Sequence, residues 1–303
     1  MASHPGILIR LLTWNLFHGR DHPPDRSLQT WRSRLLRRPE LGATHAQVNV
    51  PLRREFAGLL AGWEWDVALL QEAPPRWLGD LERATGAQGE RALTSRNSLA
   101  WLRAALAEWN PDLIASNEGG SNMVLARPPA RIVASERVVL ATAPERRVLL
   151  LTRLAIPAEA AGLAEATPTA DPASPGRSVP PAGRTLVVAC THLSVPATGN
   201  GAAEALNAAE IASAWAAGAP LVLGGDLNLR PARQPDAFAA LRDRYGLTRP
   251  TAPQSLDHLL ARGVELVRPP AALAPTAREV PGPAGLAIRL SDHAPVLAEF
   301  RLR

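Results

Sequence analysis

The chain has 303 residues, 46% of them apolar, which is too long for a minimal domain and enough for one large core or two small ones. A single cysteine, Cys190, excludes an internal disulfide framework and agrees with a reducing compartment. The net charge of +5 rests on 33 basic residues, all arginine. Arginine suits bidentate phosphate recognition, so a polyanionic or phosphorylated partner fits, although a general abundance of Ala, Arg and Pro explains the same excess.

The opening "MASHPGILIRLLTWN" has no basic region followed by a signal-length apolar core, and it reads as a short leader into a strand. A cytoplasmic location is expected. No run of about 18 apolar residues exists, which argues against a transmembrane helix and any stable membrane insertion. Short apolar runs predict strands over Ile7 to Asn15, Asp66 to Glu72, Asn122 to Arg127, Arg137 to Ala141 and Arg147 to Ile156. Four more follow at Thr185 to Leu193, Leu221 to Gly225, Leu256 to Leu260 and Pro295 to Leu302. Their near-continuous Val/Leu/Ile character predicts burial on both faces.

Helical patterns lie between them: "PLRREFAGLLAG", "NSLAWLRAALAEWN", "GAAEALNAAEIASAWAAG" and "PDAFAALRDRYG", several closed by glycine. "WRSRLLRR", Trp31 to Arg38, reads either as an amphipathic helix with a solvated arginine face or as a track for a nucleic-acid backbone with a stacking aromatic. Pro157 to Gly183, rich in Ala and Pro, reads as a flexible insertion inside one domain spanning 1–303. Alternating strands and helices with hairpin-like runs in the middle predict an α/β (α+β) fold of sheets sandwiched by helices.

Polar residues recur where the strands end: Asn15 after "LLTW", Glu72 after "VALLQ", His192 in "VVACTHL", Asp226 and Asn228 in "LVLGGDLN". Asp257 stands at a strand start in "SLDHLL", and Asp292 and His293 precede the last strand in "SDHAPV". Any one of these is ordinarily a cap or turn former. Together they place carboxylates, amides and two histidines, with no thiolate, on what a sandwich makes a single rim. Oxygen donors of this kind suit a hard cation such as Mg²⁺, with Mn²⁺ as an alternative, and the histidines suit proton transfer or charge stabilisation. The set points to metal-assisted hydrolysis of a phosphate ester.

"TWN", "LQE", "THL", "GGDLN", "LDHLL" and "SDHAPV" resemble, in order and approximate spacing, the motifs of the endonuclease/exonuclease/phosphatase superfamily. That superfamily includes pancreatic-type deoxyribonucleases, exonuclease III-like apurinic endonucleases, neutral sphingomyelinases and inositol polyphosphate 5-phosphatases. The resemblance implies a four-layer α/β/β/α sandwich with two mixed β-sheets. It implies Glu72 as the main metal ligand, helped by Asn15 and Asp292. Asp226 would orient or deprotonate the attacking water, and Asn228 would hold that aspartate or the phosphate. His293 would contact the scissile phosphate with Asp257 fixing its ring, and His192 would stabilise the phosphorane or protonate the leaving oxygen.

Asn122, in "GGSNMVLAR", resembles the family's "GNAILSR" strand and would touch phosphate. His18 either reaches the substrate or caps its own turn. The segment "APQSLDHLLARG" lacks the Trp, Cys and Arg of the 5-phosphatases' "PAWCDRIL", and Ser255 and His258 replace the aromatic-rich pattern of the apurinic endonucleases. The expected activity is Mg²⁺-dependent hydrolysis of a phosphate ester by a monomer, with a nuclease acting on DNA or RNA as the leading reading. A phosphatase or phosphodiesterase of a small-molecule or lipid-headgroup substrate is the alternative. A non-catalytic binding module ranks below both, because none of the motif residues is missing.

Overall fold

The strands are apolar on both faces because two sheets stack and helices cover their outer sides. In the computed structural model, which describes residues 6–94, 100–109, 120–143, 145–157, 184–197 and 200–303, the first strands are β1 (Ile7–Asn15), β2 (Glu40–Leu41), β3 (Ala46–Gln47), β4 (Val67–Ala73) and β5 (Gln88–Leu93). Next come β6 (Ser121–Ala126), β7 (Arg131–Ala141), β8 (Arg147–Ile156), β9 (Arg184–His192) and β10 (Leu221–Asp226). The last are β11 (Asp257–Arg262), β12 (Glu265–Ala272), β13 (Glu279–Pro281), β14 (Ala287–Arg289) and β15 (Val296–Leu302). The α-helices are α1 (Trp31–Leu36), α2 (Arg53–Gly62), α3 (Leu78–Thr85), α4 (Ala100–Trp109), α5 (Gly201–Ala216) and α6 (Pro235–Tyr245). None of the helices is long and apolar enough to cross a membrane, among the described residues.

One sheet has the order β12-β15-β1-β4-β6-β5 and the other β11-β10-β9-β8-β7. Each is mixed, with a single parallel pair: β1 with β4, and β9 with β10. Alternate residues of each strand serve different layers. Leu11, Leu69, Val124, Leu150, Val188, Val222 and Phe300 meet between the sheets. Trp14, Leu70 and Leu125 face the other way onto Phe56, Leu60 and Leu81, from α2 and α3. Leu149, Val187 and Leu223 pack outward against Ala205, Ala209 and Phe238, from α5 and α6. The α/β/β/α sandwich follows from this two-sided burial. Each large side chain so buried contributes roughly 1.5–3 kcal/mol of transfer free energy.

The differences from the sequence reading lie at the edges. The strand expected at Arg137 begins at Arg131, and β5, β12 and α3 were not foreseen. Both β5 and β12 are edge strands with largely exposed side chains, and β12 carries Pro269 and Pro270 and two register shifts. Edge strands need no apolar period, so periodicity does not mark them. Helix α1 stops at Leu36 because Arg37 takes a left-handed conformation, with the Thr30 side chain capping the start. Of the insertion read at Pro157 to Gly183, residues 158–183 lie outside the described residues, as do Asn97 and Ser98, which open the helical run "NSLAWLRAALAEWN".

Candidate active site

Two parallel pairs end on the same rim, and that topology gathers the polar strand ends. Asn15 closes β1 and Glu72 stands one residue from the end of its neighbour β4. His192 closes β9, and Asp226 closes the neighbouring β10 in register with it. The antiparallel partner β11 starts on this rim, with Asp257 paired to Asp226. The turn before β15 returns to it beside Asn15, whose carbonyl accepts from Ser291 Oγ at 2.6 Å. Ligand sites in open sheets likewise lie beyond the carboxyl ends of the strands.

The backbone at this rim is strained. Phe17, His18, Glu72, Asn228 and Ser291 all have φ between +48° and +59°, five of the eight non-glycine residues with positive φ among those described. Such conformations each cost about 1–3 kcal/mol and concentrate where geometry serves a site. A register break between Leu70 and Ala73 turns Glu72 out of the ladder. The Gly224-Gly225 pair has a steric cause: at Gly225 (φ +132°) an added Cβ would lie 1.9 Å from the Thr191 carbonyl oxygen. Strand β10 reaches the rim pressed against β9, and only glycine fits there.

Asn15 is buried and joins the two sheets. Its Nδ2 donates to Glu72 Oε1 at 3.2 Å and to Asp226 Oδ2 at 3.0 Å, while its Oδ1 accepts from the Phe17 amide at 2.9 Å. It therefore meets both carboxylates as a donor, which is not the carbonyl-oxygen contact expected of a metal ligand. To ligate through Oδ1 it must release Phe17. His18 joins the cluster through Nε2, 3.1 Å from Glu72 Oε2. His192 bridges the same acids, with Nδ1 3.7 Å from Glu72 and Nε2 3.5 Å from Asp226.

His293 Nδ1 and Asp257 Oδ2 are 2.7 Å apart, a charge-assisted hydrogen bond, while Nε2 lies 3.7 Å from Asp226 and 4.0 Å from Asp292. Asp226 Oδ1 accepts from the Asn228 backbone amide at 2.9 Å, but the Asn228 side chain turns away to the Leu193 carbonyl at 2.8 Å. Asn122 stands apart from these contacts. Its Nδ2 and the hydroxyl of Thr191 both donate to the Val148 carbonyl, at 2.7 and 3.4 Å, placing it one residue from His192. Trp14 is fully buried beneath the site and donates to the His293 carbonyl at 3.0 Å.

The environment separates the titrations. Burial pushes Asp226 up to about 7, against the pull of His293 and with the help of nearby Asp257. Burial also works to raise Glu72, but the imidazoles of His18 and His192 and the Asn15 amide outweigh it and hold it at about 2. His192 is driven by burial down to about 3, and burial lowers His18 as well. His293 goes the other way: burial opposes its charge, yet Asp257 and Asp226 raise it well above the ordinary histidine range. At neutral pH the rim thus combines an ionised Glu72, neutral His18 and His192, a protonated His293 and an Asp226 poised near neutrality.

A divalent cation fits this chemistry. Glu72, Asp226, Asp257 and Asp292 bring four carboxylates to one rim, and Asp257 Oδ1 is buried with no hydrogen-bond partner among the described residues. Asp226, Asp257 and His293 each offer a donor atom within 4.8 Å of the others. The 2.7 Å contact already uses the Nδ1 of His293, and both Glu72 oxygens are engaged, Oε1 by Asn15 and Oε2 by His18. A cation at Glu72 thus shares that carboxylate with them, while Asp257 Oδ1 and the exposed Asp292 are the freer oxygens.

Two residues that sequence reasoning missed hold the loops in place. Buried Arg278 donates through Nη1 to the carbonyls of Leu290, Ser291 and His293, at 3.4, 2.5 and 3.0 Å. His258 accepts from the Thr251 amide at Nδ1 and bonds the Leu229 carbonyl through Nε2 at 3.1 Å, bracing the turn after Asn228. Arg278 lies in no motif, and His258, although inside "LDHLL", carries no signal of this bracing role. An arginine in "PTAREV" reads as a surface residue until the turn it serves is seen.

A model of the endonuclease/exonuclease/phosphatase family matches residues 12–293, from β1 to the terminal Asp-His pair. The chain belongs to that family. Its members are phosphoric ester hydrolases that typically use divalent metal ions, and this chain is a hydrolase of that class. No curated protein matches the sequence. A Bacteroides vulgatus member of the family superposes with a TM-score of 0.59 at 15% identity, covering 98% of this chain and 100% of that one. A mannosyl-6-phosphatase of Bacteroides thetaiotaomicron does so at 0.58 and 14%, covering 96% and 99%. D. rerio TDP2, complexed with single strand DNA product, gives 0.52 and 15%, covering 97% and 98%. At these identities the likeness is one of fold.

Proposed function

We propose that the protein is a Mg²⁺-dependent phosphodiesterase, with Mn²⁺ as a substitute, that cleaves nucleic acid, and that the cluster from Glu72 to His293 is its active site. The observation that carries this is the continuous chain of contacts Glu72–Asn15–Asp226–His293–Asp257, which links the ends of both sheets. All of these residues come from one chain, so a monomer suffices. The family match over 12–293 supports reading the whole chain as one catalytic domain, and a chain with one cysteine, buried, suits a cytoplasmic setting.

Glu72 and Asp292 would hold the cation, and Asn15 would join them only by turning its carbonyl from Phe17, which gives up its hold on Asp226. When bound, that ion offsets charge on the phosphorus-bound oxygens and on the leaving oxygen. Asp226 positions the attacking water and takes its proton, since a carboxylate near neutrality is matched to a general base. The Asn15 Nδ2 and the Asn228 amide fix its two oxygens. Protonated His293 donates from Nε2 to a non-bridging phosphate oxygen, with Asp257 locking the ring through Nδ1. Neutral His192, between Glu72 and Asp226, donates a hydrogen bond to the phosphorane, and Asn122 and His18 line the approach of the phosphate.

The nucleic-acid reading is supported by the all-arginine basic complement and by the DNA product bound to structurally similar TDP2. Turnover of single-stranded DNA, RNA and supercoiled plasmid against an aryl phosphodiester and a sugar phosphomonoester tests it. Cleavage confined to the monoester would shift the assignment to a small-molecule phosphatase, the class to which the similar mannosyl-6-phosphatase belongs.

A further inference from the structure

A cationic feature lies on the same rim, beyond the acidic catalytic cluster. The open edges of the two sheets, β5 and β7, leave a cavity of about 330 Å³ lined by Arg91, Ala92, Leu93, Arg137, Arg146 and Val148. Its position relative to the site follows from the strand register. Ala92 pairs with Asn122 across β5 and β6, and the Val148 carbonyl is the acceptor shared by Asn122 and Thr191. Leu149 pairs with Thr191, so the start of β8 stands level with His192. The cavity is therefore the next space along the rim from Asn122 and His192.

Its three arginines retain donor capacity. Arg137 is held across the gap between the sheets, with Nε on the Arg91 carbonyl at 2.7 Å and Nη2 on Glu90 at 2.6 Å, and its Nη1 is uncommitted among the described residues. Arg91 uses one nitrogen on the Pro75 carbonyl. Exposed Arg146 has no ion-pair or hydrogen-bond partner among the described residues. Next to it Arg147 is buried, pairs with Glu145 at 2.8 Å and leaves Nε without a partner among the described residues, while its charge reaches His192. Glu90 neutralises one arginine of the lining, so among the described residues the lining keeps a positive excess.

We infer that Arg91, Arg137 and Arg146 form a second anion subsite, which takes a non-scissile phosphate of a single polynucleotide strand while the scissile phosphate lies at His293. The inference rests on the phosphodiesterase reading for its scissile phosphate, and it deepens that reading by fixing where the strand runs: from the catalytic rim past Asn122 and out over the open sheet edges. Planar guanidinium forks suit phosphate oxygens, and a groove that tracks a backbone by charge needs no base-specific contact.

The test uses Arg146→Gln and Arg146→Glu, because this side chain is exposed and bonds nothing among the described residues. Arg242→Gln, on α6 and far from the rim, serves as the charge-matched control. Binding of a labelled single-stranded oligodeoxynucleotide is followed by fluorescence anisotropy in EDTA over a range of salt. The subsite predicts that Arg146→Gln weakens binding several-fold and lowers the magnitude of the log Kd against log salt slope by about 0.7, with Arg146→Glu weaker still. Arg242→Gln stays at the wild-type value. In turnover with Mg²⁺, the ratio of kcat/KM on the oligonucleotide to kcat/KM on a single-phosphate aryl diester falls at least fivefold in Arg146→Glu. An unchanged slope and ratio overturns the subsite whatever the enzyme hydrolyses. Arg146-dependent binding by a protein that hydrolyses no ester upholds the subsite and overturns the phosphodiesterase reading, so the two fail separately.

Discussion

Asp257 Oδ2 holds His293 Nδ1 at 2.7 Å, and the same aspartate is the register partner of Asp226 across β10 and β11. One rung of the ladder therefore sets both the orientation of the imidazole and its distance from the carboxylate facing its other nitrogen. That arrangement also keeps His293 protonated well above the ordinary range, against the opposing effect of burial.

Asp257→Asn keeps the size of the side chain and removes the charge. The His293 pKa should fall, so the alkaline limb of the pH–rate profile should move to lower pH and kcat/KM drop by about 10²-fold or more. NMR titration of His293 in wild type and variant checks the cause. An unmoved titration with a lost rate would place Asp257 elsewhere in the mechanism.

Stability should respond to pH through Asp226. Its folded pKa is raised to about 7, so the folded state binds the proton more tightly than the unfolded chain. Stability from this group is then greatest below the unfolded value of about 3.9 and declines as pH rises towards 7. In EDTA, the Tm of wild type minus that of Asp226→Asn should fall between pH 4 and pH 7. A difference that rises over that window would contradict the burial argument.

Glu72→Gln removes the carboxylate held at about 2 and should raise the Mg²⁺ concentration for half-maximal activity by about tenfold or more, with kcat partly recovered at high metal. Equal metal dependence in variant and wild type would remove Glu72 from the cation site.

Gly225→Ala should destabilise by about 3 kcal/mol or more, since the new Cβ meets the Thr191 carbonyl and the φ is unsuited to alanine. Denaturant unfolding reads this directly. A loss below about 1 kcal/mol would mean that β9 and β10 separate easily, and that the rim is softer than its contacts imply.

Much of this site was legible because the strands that carry it, the central β1, β4, β9 and β10 and the well-covered edge strand β11, are largely buried, which makes them continuous apolar runs with abrupt polar ends. Asn15, Glu72, His192, Asp226, Asp257 and His293 stand out for that reason, and the structure brings them together. Their detailed contacts were not legible. Whether Asn15 faces the acids with its amide or its carbonyl depends on the Phe17 amide, which turns back on it through Leu16 at φ −86° and ψ 0°. The Asn228 side chain looked like a ligand holder, yet its backbone amide holds Asp226 and its amide group serves Leu193. Arg278 and His258 act on backbone groups, which many side chains can serve and no spacing announces. The edge strands β5 and β12 were missed because half-exposed edges carry no period, and β5 happens to line the arginine cavity.

The central claim is that this rim cleaves phosphodiesters and that His293 is essential to it. The direct measurement is hydrolysis of single-stranded DNA, RNA and an aryl phosphodiester by purified wild type, with Mg²⁺ and with EDTA, against His293→Ala of matching fold and Tm. The account predicts metal-dependent cleavage of nucleic acid by wild type and a loss of about 10³-fold or more in the variant. Cleavage that survives in His293→Ala, or that proceeds unchanged in EDTA, would contradict it.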